Sequence, residues 1–176
     1  MDEAGRRSLL AQLESSRAAL LDAVAGVSPE EAHPRPVPGA WSILDCVEHV
    51  ATTEAFLLRG ITQATPLAEP AAPGRLEQKI LSGGANRTRK FEAPEAARPR
   101  GRFASLADAV AGFERARGRT ARYVAEFSGD LRASTTVHPL LGAITCYECV
   151  LLMVTHALRH AAQIEEIKAA GRRTAP

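Results

Sequence analysis

Four stretches of the chain repeat apolar residues at the three- and four-residue spacing of one helix face, and none shows convincing strand alternation. The first, about residues 6–27, sets Leu9, Leu10, Leu13, Leu20, Leu21 and Val24 on such a face. The "SPEE" that follows reads as a cap with proline at the first helical position. The second, about residues 43–61, starts at "SILD", where the Ser42 hydroxyl can accept an orphan amide and Asp45 lies in the positive first turn. The third, residues 106–127, starts in the same way at "SLAD" and stops at "SGD". The fourth, residues 146–170, opens on "TCYE", a capping box of Thr145 and Glu148, and is expected to end at Gly171.

Between the second and third stretches runs "TPLAEPAAPGRLEQKILSGGANRTRKFEAPEAARPRG", rich in Pro, Gly and Arg, with "LEQKIL" as a short helix inside it. A connection this long is unusual in a compact domain and is either functional or a crossover. The expectation is an all-α four-helix bundle, not simply up-down-up-down, with a long crossover loop between helices 2 and 3. Its 176 residues suit a single domain, 1–176, that buries a core without staples.

Hydrophobic residues make up 45% of the chain and charged ones 24%, the balance of a soluble globular protein. No apolar run approaches the roughly 20 residues a membrane span needs, and "MDEAGRRSLL" lacks the pattern of a signal peptide. A cytoplasmic protein without a membrane partner is expected. Cys46, Cys146 and Cys149 form no disulfide framework, which fits a reducing compartment. A net charge of +2 gives no basic face, so nucleic acid is not an expected partner.

Candidate chemistry sits in "VTHALRHAAQIEEIK". His156 and His160 are one turn apart, on the face that also carries Cys149, Leu152, Met153, Gln163, Ile164 and Ile167, so both point inward. Histidines at that spacing can chelate one ion from one helix face, or be two hydrogen-bonded core residues. His49 weighs toward the first reading, because it lies at the rim of the buried arc of the second helix, where a ligand shared between helices would sit. Three neutral imidazoles would leave coordination positions open, as catalytic sites do.

The blocks "GAWSILDCVEHVATTEAFL", "RTRKFEAPEAARPRGRF", "GFERARGRTARYV" and "HPLLGAITCYECVLLMVTHALRHAAQIEEIK" resemble, in order and spacing, the second branch of the DinB-like superfamily. The resemblance runs from about residue 40 to 168 and is most specific in W-S-x-x-x-x-x-E-H and H-x-x-R-H-x-x-Q-I. It implies an up-up-down-down bundle, usually a homodimer, with a divalent metal on His49, His156 and His160. Zinc or nickel is the first expectation, then iron or manganese; three imidazoles also suit copper. Members of known activity are mostly thiol transferases that use low-molecular-weight thiols, together with a thiol-dependent isomerase. The implied function is a metal-dependent thiol S-transferase or hydrolase acting on a small-molecule substrate. Its rivals are a non-catalytic metal or small-ligand binding module of stress response and a structural helical dimer whose histidines are core residues.

Further candidates surround this centre. Glu54 and Arg117 fall within the apolar stripes of helices two and three and are expected to pair across the bundle, since an isolated buried charge is too costly. Glu54 is alternatively a catalytic base near the metal. His138, in "VHPLLG", reads first as a turn residue and second as a proton shuttle or fourth ligand. Gln163, one turn past His160, either packs or orients a ligand or water at the site. Cys46 and Cys149 read as core packing, and Arg159 as a surface or interface charge. Arg87, Arg89, Lys90, Arg98, Arg100 and Arg102 form a solvated rim or, alternatively, hold the carboxylates of a thiol cosubstrate or an anionic substrate.

Overall fold

Each apolar stretch becomes a helix because a local cap starts it and a buried face holds it. In the computed structural model, which describes residues 1–88 and 91–174, the helices are α1 (Glu3–Val24), the one-turn α2 (Pro29–Ala32), α3 (Ile43–Thr62), α4 (Arg75–Gly83), α5 (Leu106–Glu126) and α6 (Cys146–Thr174). Ser42 accepts from the Asp45 amide while Asp45 accepts from the Ser42 amide, a closed capping box that fixes the start of α3. Thr145 and Glu148 close the same box on α6. Ser105 caps α5 through the Asp108 amide. Ser28 caps α2, with Pro29 at its first position.

Two ends depart from expectation. α1 starts earlier than its apolar stripe, because Asp2 accepts from the Gly5 amide and caps a polar first turn. α6 runs through Gly171 to Thr174, since glycine weakens a helix without ending it.

The four long helices form a bundle in which α1 neighbours α6 and α5, and α3 neighbours α5 and α6. Their directions follow from side-chain contacts. Arg6 on α1 donates to the Val124 carbonyl on α5, and Arg17 pairs with Glu114, so these two helices are antiparallel. Lys168 near the end of α6 donates to the Ala23 carbonyl near the end of α1, so this pair is parallel. His49 on α3 meets His156 on α6, while Glu54 further along α3 shares Arg117 with the earlier Met153 carbonyl, so α3 and α6 are antiparallel. The chain therefore reads up-down-down-up, which corrects the up-up-down-down order. A helix of 20 residues is about 30 Å long, and only the connection between α3 and α5 spans that length to make its two helices parallel. That connection runs over residues 63–105 and contains the strand Thr65–Pro66 and α4.

Two apolar clusters fill the bundle. One gathers Leu9, Leu13, Leu57, Ile61, Val124 and Leu151; the other gathers Leu20, Ile43, Val47, Phe113, Ala157 and Ile164. Each fully buried Leu, Ile or Phe contributes about 1.5–3 kcal/mol relative to exposure. At their junction Arg117 donates to both Glu54 oxygens at 2.7 and 2.9 Å, to the Leu13 and Met153 carbonyls and to the Ser16 hydroxyl. From α5 this one guanidinium touches the other three long helices, as the expected cross-bundle pair and more.

A small antiparallel sheet joins β1 (Thr65–Pro66), β2 (Ser134–His138) and β3 (Gly142–Thr145), with β2 central. The strand pattern did not foretell it, because "STTVH" has no alternating apolar face and is held by pairing with its neighbours. A Cβ on Gly60 would stand 2.7 Å from the Thr136 hydroxyl, so glycine is what lets β2 lie against α3. Thr145 is both the last residue of β3 and the cap of α6, which fixes where the histidine helix begins. No helix among the described residues is long and apolar enough to cross a membrane.

Candidate metal centre

The antiparallel packing of α3 on α6 brings His49 level with His156 and His160. The Nε2 atoms of His49 and His156 stand 2.9 Å apart and those of His156 and His160 3.1 Å apart. One ring nitrogen from each of the three falls within 4.8 Å of the other two. The rings meet edge to face, with interplanar angles of 67° to 78°, so the nitrogens converge rather than the ring faces.

Protons cannot satisfy this arrangement. The Ala97 carbonyl lies 2.6 Å from His49 Nδ1, and a carbonyl only accepts, so Nδ1 carries the hydrogen and His49 Nε2 a lone pair. A single N–H on His156 Nε2 cannot lie along both the line to His49 and the line to His160. Two ligands at 2.0–2.1 Å from a shared ion and roughly 90–109° apart would be about 2.9–3.4 Å from one another. Both short contacts match that spacing, and all three nitrogens lie within 4.8 Å of one another, so the donor set could hold a metal ion.

Electrostatics keep the three rings in the ligating form. Burial pushes the His49 pKa below the ordinary imidazole value, partly opposed by the Ala97 carbonyl. Burial first, and then the neighbouring imidazoles, push His156 and His160 well below it. His160 Nδ1 is buried with no hydrogen-bond partner among the described residues. His49 and His160 are each 5% exposed, and His156 is half-buried as a residue while desolvation dominates at its ring.

The walls include residues that sequence reasoning did not single out. Trp41, beside the α3 cap, stacks on His160 at 5.8 Å between centroids and tilts against His49 at 4.7 Å. Glu48, 1% exposed, accepts from the backbone amides of Arg100 and Arg102. The available signals were a sole tryptophan two residues before α3 and a glutamate adjacent to His49, both inside the W-S-x-x-x-x-x-E-H block.

The other expected residues fall elsewhere. Both Glu54 oxygens are bound to Arg117, so its place is the core ion pair and not the histidine cluster. His138 Nδ1 accepts from the Leu140 amide in the β2–β3 turn, and its imidazole is near enough to contribute to the lowered pKa of His156. Gln163 Oε1 accepts from Arg87, whose guanidinium also holds both oxygens of Glu166. Arg87 and Gln163 therefore tie the crossover to α6. Arg98 pairs with Glu92 and Glu95, and Arg100 with Glu95, as a solvated rim does. Arg89 and Lys90 lie outside the described residues. Arg159 donates to the Asn86 carbonyl and lies over the Phe91 ring. Cys46 and Cys149 are fully buried; burial pushes the Cys46 thiol far up and that of Cys149 up to about 12, so both are protonated packing groups.

Fold and site together define a class: a four-helix bundle whose interior carries a three-imidazole cluster able to hold a metal ion. The chain belongs to the DinB superfamily, whose model matches residues 12–164. Among solved structures it is similar to YfiT from Bacillus subtilis, described as a probable metal-dependent hydrolase with an unusual four-helix bundle topology. The two share 19% identity over 96% of this chain and 89% of that one, with a TM-score of 0.63. It is also similar to TT2238, a four-helix bundle protein, at 23% identity over 92% and 98% of the two chains, with a TM-score of 0.60. At these identities the likeness shows the fold. No protein of curated function matches the chain.

Proposed function

We propose that this protein is a metal-dependent enzyme acting on a small molecule, hydrolysis being its first reaction class, with His49, His156 and His160 as the metal ligands. The observation that carries the reading is the convergence of three ring nitrogens that protons alone cannot satisfy. Three protein ligands leave positions for water and substrate, the pattern of catalytic sites. When bound, a divalent ion there supplies Lewis-acid polarisation and a water of lowered pKa. The chain's own residues do the rest: Ala97 holds the His49 tautomer, and Trp41 packs against the rings of His49 and His160. The likeness to YfiT supports hydrolysis over a non-catalytic module.

Thiol transfer is the less supported reaction, because three described members of the expected cosubstrate-binding group are already paired: Arg87 with Glu166 and Gln163, and Arg98 and Arg100 with Glu95. A homodimer in the cytoplasm completes the proposal, and sedimentation velocity at micromolar concentration checks the dimer. Untagged protein, screened with ester and amide substrates and with thiol–electrophile pairs, tests the reaction. Turnover that a chelator abolishes and zinc or nickel restores is expected. Turnover indifferent to chelation, or lost in no histidine variant, contradicts the proposal.

A further inference from the structure

A carboxylate as deeply buried as that of Glu48 needs compensation. It finds it in the crossover: Oε1 accepts from the Arg100 amide at 2.6 Å and Oε2 from the Arg102 amide at 3.0 Å. Between those two residues Gly101 has a φ of +70°, a left-handed conformation that turns amides on either side of it toward one anion. A Cβ there would meet no atom within 4 Å, so glycine is required for its backbone angle and not for space. Just upstream, a 3-10 turn at Glu95–Ala97 ends with the carbonyl that His49 Nδ1 binds. Downstream, Phe103 packs so closely on Gly112 of α5 that a Cβ would stand 2.6 Å from its ring. The segment 95–103 is thus a strap fastened at three points, two of them adjacent residues of α3.

We infer that Glu48 is a positioning residue: by clamping the amides of Arg100 and Arg102 it holds the strap so that the Ala97 carbonyl fixes His49 in the Nδ1–H tautomer, leaving Nε2 free to ligate. Glu48 touches no reacting atom and acts through Ala97. Its effect on metal affinity rests on the function proposed above; its effect on the tautomer does not. Losing an outer partner of a ligating histidine typically costs 10–100-fold in metal affinity.

The test uses metal-free full-length protein with 15N-labelled histidine, wild type and two variants, Glu48→Gln and Gly101→Ala. Glu48→Gln keeps the volume but sets an NH2 against one strap amide; Gly101→Ala strains the clamp and leaves α3 untouched. Long-range 1H–15N spectra should show His49 as the Nδ1–H tautomer in the wild type and as a tautomer mixture in both variants. The His156 signals serve as the check that the bundle is folded. Zinc titration should then give dissociation constants about 10–100-fold higher in the variants. An Nε2–H tautomer in the wild type, or an unchanged Nδ1–H tautomer in both variants, overturns the inference. A tautomer shift in variants of a protein that binds no zinc upholds it while rejecting the metal reading.

Discussion

The bundle buries two polar clusters about one helical turn apart, and they differ in completeness. Around Arg117 the described donors and acceptors match: two carboxylate oxygens, two carbonyls and a hydroxyl take up one guanidinium. Around His156 they do not: three nitrogens crowd one point and His160 Nδ1 has no partner among the described residues. Buried polar groups are costly when unmatched, so an unmatched cluster inside a well-packed bundle is a place where an ion could bind. The matched cluster holds the helices in register; the unmatched one is where chemistry is possible.

That contrast can be broken experimentally, most severely at the matched cluster. Glu54→Ala should destabilise the fold by about 3–5 kcal/mol, because it strands a buried guanidinium. Glu54→Leu combined with Arg117→Met should recover most of that loss, which chemical denaturation would show. If Glu54→Ala costs less than about 1 kcal/mol, Arg117 is not the hub described. His156→Ala should do the opposite: abolish metal binding while changing the stability of the metal-free protein far less, since it removes a group that is poorly satisfied there.

A smaller effect concerns pH. The three histidines stay neutral in the fold below the pH at which they protonate in the unfolded chain. The unfolded state then binds more protons, so stability is complete above about pH 6.5 and declines as pH falls below it. The thermal midpoint of the metal-free protein should drop between pH 7 and pH 5, and less so in His156→Leu. An identical slope in the two would place the acid sensitivity elsewhere. The subtlest effect is optical: Trp41, the sole tryptophan, should change its emission as nickel is added and saturate with the site. Emission that tracks nickel equally in His156→Ala would detach Trp41 from the centre.

The parts legible in the sequence were those written in local spacing. Ser42, Ser105 and Thr145 announced three helix starts, and the i, i+4 pair with His49 announced the cluster. The buried Glu54–Arg117 pair was legible too, because each charge interrupts an apolar stripe. What stayed hidden depends on partners distant in sequence. Glu48 reads as an ordinary helical glutamate until the amides of residues 100 and 102 arrive, and Trp41 as a residue before a cap until His160 stacks on it. The β2–β3 hairpin gave no periodic signal, and the helix order needed contacts such as Arg6 to Val124 to fix direction. Gln163 and Arg87, whose roles the sequence left open between packing or rim and ligand binding, bind each other.

The central claim is that one ion completes the unmatched cluster, and X-ray absorption spectroscopy on untagged, zinc-loaded protein tests it most directly. The predicted result is one zinc per chain, with imidazole nitrogens at about 2.0–2.1 Å and the imidazole scattering lost in His156→Ala. Substoichiometric zinc, or a first shell of oxygen or sulfur that the His156→Ala substitution leaves unchanged, would contradict it.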